Sequence, residues 1–127
     1  MNKTEKLVLK SKKNFEKQYK KLYNRIYRSV HRQIRAAVRN GAMTVRCYSL
    51  YDIYKNFISE VANKVDQDIR ETLVQEGFYV RKYLLGRPPE LFEFSIAWGD
   101  SIKKYTNLDS IQLNLMEDRR KEYVKDN

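Results

Sequence analysis

Residues 15–48 read FEKQYKKLYNRIYRSVHRQIRAAVRNGAMTVRCY, and the change of period inside this stretch decides the fold. Up to Arg39 the apolar residues recur at helical spacing. Advanced by about 100° per residue, Phe15, Tyr19, Leu22, Ile26, Val30 and Ala37 fall within a sector of roughly 80°, with Ile34, Tyr23 and Tyr27 at its border. Asn40-Gly41 is a strong helix stop, because glycine adopts the left-handed conformation that ends a helix at little cost. Past it, Met43–Tyr48 is rich in β-formers (Thr44, Val45, Tyr48) and is expected to be a short strand.

Working back from Phe15, no glycine or proline interrupts residues 3–39, so a long amphipathic helix is expected from the start of the chain, with a break near Ser11 or Asn14 left open. Val8 continues its apolar sector. Working forward, Leu50, Ile53, Phe57, Val61, Val65, Ile69 and Leu73 or Val74 recur at helical spacing and predict a second long helix. It would start at a capping pair, Ser49 with Asp52, and end at Glu76-Gly77. Phe78–Leu85 reads as a strand, Gly86-Arg87-Pro88-Pro89 as a turn, and Phe92–Trp98 as a half-buried strand of alternating character. Residues 108–125 suit either strand or helix, and their charged run Glu117–Glu122 favours a helix.

The expected class is therefore α+β. A long basic N-terminal helix precedes a β-α-β-β core with a small three-stranded sheet, and a C-terminal helix follows. Residues 1–127 are expected to form a single domain in which the helix of residues 1–40 packs on the 41–127 core. The strands on either side of the second helix are expected to pair in parallel through a right-handed crossover.

Charge is distributed unevenly. The chain carries a net charge of +10 from 26 Lys+Arg and 16 Asp+Glu. Residues 1–40 contain 13 of those cations against Glu5 and Glu16 alone, a net +11, so the remainder carries 13 cations and 14 acids, a net −1. The excess also has a direction. Arg25, Arg28, Arg32, Arg35 and Arg39 are spaced three, four, three and four apart and share one helical face. Lys10, Lys17 and Lys21 (with Lys3) extend that face. Its centre lies roughly 170° from that of the apolar face, counted with Ile34, Tyr23 and Tyr27, at 100° per residue. Arginine suits such a ridge, since its planar guanidinium grips phosphate or carboxylate oxygens with two parallel donors and stays charged.

The expected partner is an anion, first of all nucleic acid (DNA or RNA) and alternatively an acidic protein surface. Three blander readings compete. The ridge could be a solvated face, an intramolecular seam with Asp66, Asp68, Glu71 and Glu76, or a face resting on an anionic membrane. Tyr19, Tyr23 and Tyr27, four apart, could stack on bases but are better read as packing at the rim of the core. Arg81, Lys82 and Arg87 could extend a basic surface.

Little supports catalysis, and no enzyme is expected. His31 is the only histidine, lies among basic positions and has no carboxylate partner in sequence, so it reads as a solvated helix residue. Cys47 is the only cysteine. It fits a buried strand position and a reducing cytosol, and without Cys/His pairs a zinc site has no ligand set. No glycine-rich nucleotide loop is present, and no cofactor is expected. An RNA-cleaving site built on Arg, Tyr and Glu is the one catalytic option the composition leaves open. The longest apolar run near the start is Leu7-Val8-Leu9, too short for a signal-peptide core, and no run nears the ~20 residues of a membrane span. A cytoplasmic location is expected.

From Arg32 to Trp98 the chain resembles many small, mostly uncharacterised proteins encoded by bacterial viruses. In those proteins a helix ending in Ala and Gly leads to a strand, then to a helix ending in Gly-aromatic-x-Val, then to a hairpin closing on Ile-x-Trp. The corresponding residues here are Ala36, Ala37, Gly41, Gly77, Phe78, Val80, Ile96 and Trp98. The resemblance implies a β-α-β-β core and a phage genome, and carries no site residues. An accessory protein is expected from it, with a host-factor inhibitor or a virion component as the alternative.

Overall fold

The computed structural model describes residues 1–47, 50–82 and 94–102. Within them the order is α1 (Lys3–Arg39), β1 (Thr44–Cys47), α2 (Leu50–Tyr54), α3 (Ser59–Gln75), β2 (Tyr79–Lys82) and β3 (Phe94–Ala97). The class is α+β, as expected. The Gly86–Pro89 turn, Ser49 of the proposed capping pair and the C-terminal helix lie outside the described residues.

Both long helices end in the same way. At α1, Gly41 takes φ +78° and donates to the Val38 carbonyl, while the Ala42 amide reaches back to Ala37 (2.9 Å). At α3, Gly77 takes φ +96° and donates to Val74, while Phe78 reaches back to Leu73 (3.0 Å). These paired bonds satisfy carbonyls that a helix end would otherwise leave open. The start of α1 is capped by Asn2, whose side chain accepts from the Glu5 amide (2.8 Å) and donates to the Glu5 carboxylate.

The second long helix of the sequence reading is two helices. After Tyr54 the amides of Asn56 and Phe57 bond three residues back, to Ile53 and Tyr54, which tightens the chain out of α geometry. Asn56 adds a side-chain bond to the Asp52 carbonyl (3.1 Å), and Ile58 turns to extended backbone before α3 begins. Apolar spacing continues across the break because Ile53 and Phe57 still pack against the same core. The periodicity therefore could not register the interruption.

Strand pairing also departs from expectation. The sheet order is β1-β3-β2, with β3 antiparallel to both neighbours. Strands β1 and β2 thus run in the same direction but are separated by β3. Arg46 on β1 and Arg81 on β2 fall on edge strands, where charged side chains discourage further pairing. The most apolar strand takes the middle, and all four of its residues are buried instead of alternating. One face of the sheet carries Val45, Cys47, Val80, Phe94 and Ile96 toward the helices. On the other face Ser95 sits between Arg46 and Arg81, and Ala97 between Thr44 and Tyr79. Small residues between longer neighbours are shaded from solvent.

The core joins Leu22, Ile26, Val30 and Ile34 of α1 to Leu50 and Tyr54 of α2, to Val61, Val65, Ile69 and Leu73 of α3, and to the inner sheet face. Val8 departs from its expected place. It is 46% exposed, and residues 1–14 are exposed throughout.

Candidate functional site

The four buried residues of α1 fix how that helix is turned about its axis. With Leu22, Ile26 and Val30 fully buried, the opposite face must point outward, and Arg25, Arg28, Arg32, Arg35 and Arg39 are all exposed. Lys10, Lys17 and Lys21 are exposed in the same file. From Arg25 to Arg39 the ridge rises about 21 Å, and from Lys10 about 43 Å, at 1.5 Å per residue. None of the five arginines has an ion-pair or hydrogen-bond partner among the described residues. Like charges in file repel one another, so this arrangement does not stabilise the isolated fold.

The α3 acids are engaged away from the ridge. Tyr19 donates to Asp68, Tyr23 shares a hydrogen bond with Thr72 (2.8 Å), and Tyr27 donates to Glu76 (2.6 Å). Each pair is separated by 49 residues, so α1 and α3 lie side by side and run parallel. His31, one turn further, meets the same Glu76 at 3.1 Å and lies 4.3 Å from the Tyr27 ring. This corrects the reading of His31 as a solvated residue without a carboxylate. Asp68 also receives Lys64 (3.3 Å), and Asp66, fully buried, pairs with Arg70 (3.3 Å). Contacts with α3 acids therefore involve the aromatic side of α1, not its arginines.

The rings form a file. Tyr19, Tyr23 and Tyr27 stand 5.9 and 6.1 Å apart, centroid to centroid, and His31 continues it to Phe78 and Trp98. The tyrosines thus pack at the core rim, as expected, but with hydroxyls bound to α3. The matching four-residue spacing on both helices gives each tyrosine hydroxyl a polar partner on α3.

Burial and the Asp68 carboxylate hold the Tyr19 hydroxyl well above its ordinary range. The hydrogen bond to Glu76 raises Tyr27, and burial holds Tyr54 well above its ordinary range. Burial pushes the Cys47 thiol up to about 12. Each group keeps its proton longer in the folded chain than in the unfolded one. The unfolded state then releases protons first as pH climbs, and folding stability falls. It should be fully present below pH 9 and decline from the ordinary thiol and phenol values of 9.0 and 10.0 upward. Urea midpoints measured at pH 8 and pH 11 should show the loss. Tyr19→Phe, less stable at pH 8, should lose less between the two. A midpoint that rises with pH would contradict these assignments.

Among the described residues no cluster of three or more His, Cys, Asp or Glu is arranged to hold a metal ion, and no helix is long and apolar enough to cross a membrane. Two features escaped the sequence reading. The first is the row Arg46–Ser95–Arg81 across the outer sheet face, visible only once β3 is known to lie between β1 and β2. The second is an open groove of about 920 Å³ where α1 and α3 diverge, lined by Phe15, Tyr19 and four lysines. Arg87 lies outside the described residues. No family model, curated protein or solved structure matches the chain.

Proposed function

We propose that the protein binds nucleic acid through phosphate contacts made by the α1 ridge, as a non-catalytic accessory protein of phage type acting in the host cytoplasm. One observation carries the reading: five exposed arginines stand in file on a helix whose rotation is fixed by its buried face, with no acid among the described residues to neutralise them. A row of arginines spread over about 21 Å of one helix face can follow several successive phosphates. Such contacts position a protein without reading bases, so weak sequence preference goes with this mode. Lys21, Lys17 and Lys10 extend the row as point charges.

Salt dependence tests it. If about five phosphates are neutralised, log K should fall with log salt at a slope near −4 to −5 for duplex DNA. Arg28→Ala, Arg32→Ala and Arg35→Ala together should reduce that slope by about three while leaving the fold intact. Unchanged affinity in the triple variant would remove the reading. The ridge would then be left to an acidic protein partner, and a pull-down resistant to nuclease would identify it.

A further inference from the structure

Near their N-terminal ends α1 and α3 part. Ser59 lies nine residues before Asp68, and Lys10 nine before Tyr19, so α3 reaches back level with Lys10. Residues 10–14 are nevertheless exposed, and the open groove of about 920 Å³ occupies the gap. Its apolar wall is Phe15 and Tyr19. Lys12, Lys13 and Lys20 come from α1 and Lys64 from α3, against the two acids Glu16 and Asp68. Asp68 is already taken by Tyr19 and by Lys64 at 3.3 Å, so the groove offers net positive charge.

We propose that this groove takes an unpaired base of single-stranded nucleic acid, stacked on Phe15, with the adjoining phosphates on the lysines around it. The inference rests on the phosphate-binding reading of the ridge and deepens it by naming the form of nucleic acid preferred. Tyr19 is held in place by its hydroxyl, by the Tyr23 ring at 5.9 Å and by Lys64, whose amine lies 5.8 Å from the ring centre. Phe15 is the next position in the same four-residue file. It is half-buried, and no ring among the described residues stacks on it. The aromatic file thus ends on an open place beside cations, a combination that suits a base with its phosphate. Lys13 and Lys20 lie about 40–60° around the helix from Lys17 at 100° per residue, so phosphates tracking the ridge have a charged path into the groove. A base in a duplex is not available for such insertion, whereas one in a single strand leaves its stack at small cost. A second copy of this chain would bring the same positive charge and is disfavoured.

The test uses the full chain, a single-stranded oligonucleotide carrying 2-aminopurine and a duplex of equal length, at fixed salt. Phe15→Leu keeps apolar bulk but removes the ring, and circular dichroism confirms the helix. The wild type should quench 2-aminopurine in the single strand. Phe15→Leu should abolish the quench and weaken single-strand binding by about tenfold, while leaving duplex binding unchanged. The triple arginine variant should weaken both. If single-strand affinity and quenching survive Phe15→Leu, the groove proposal is overturned and the ridge reading stands. If neither nucleic acid binds the wild type, both fail.

Discussion

Ile26→Ala should cost about 2–5 kcal/mol of folding stability, the range for deleting most of a buried aliphatic side chain. Ile26 is completely buried in the middle of the α1 face, flanked one turn away by Leu22 and Val30, both also at 0% exposure. It belongs to one core cluster built from α1, α2, α3 and the sheet, so the loss is felt across every element packed there. Domains of this size have about 5–15 kcal/mol in total, which makes the loss a large fraction. The thermal midpoint should drop by roughly 7–20 °C. Arg32→Ala, on the opposite side of the same helix, should change stability by no more than ~0.5 kcal/mol. Paired urea titrations distinguish the two faces. Equal, small effects would mean that α1 does not share the core.

Deleting residues 1–40 should be more severe still. The deletion removes Leu22, Ile26, Val30 and Ile34 from the core and uncovers the surfaces of α3, α2 and β1 against which they pack. It also strips Asp68, Thr72 and Glu76 of the tyrosine hydroxyls that reach them. The remainder should be molten or aggregated, with fluctuating packing, dye-binding apolar surface and no cooperative melt. A fragment 41–127 that melts cooperatively at the temperature of the whole chain would make α1 an independent arm. The ridge would then lose the fixed orientation on which its phosphate-tracking geometry depends.

Much of α1 was legible in the residues themselves. The absence of Gly and Pro from residues 3–39, the apolar spacing around Ile26 and the Asn40-Gly41 stop are local features, and local rules place the helix and its two faces correctly. The arginine file followed from the same rotation of about 100° per residue. The tyrosines at 19, 23 and 27 and their partners at 68, 72 and 76 have matching four-residue spacings. Which acid meets which ring, however, depends on two helices lying parallel 49 residues apart in the chain. His31 was misread for the same reason, since Glu76 is far away in sequence.

The sequence by itself determined the helix ends at Gly41 and Gly77, the separation of charge from apolar surface on α1, and the residues that would make strands. Those depend on backbone propensity and side-chain period, which a residue shares only with near neighbours. Tertiary structure alone decided that β3 separates β1 from β2, that the chain breaks at Lys55–Ile58 despite continuous apolar spacing, and that Val8 is left outside the core. It also decided that α1 and α3 diverge to open a groove beside Phe15. In each case the outcome turned on how a limited apolar surface is shared among elements distant in sequence. That is settled by burial of the whole chain and not by any one segment.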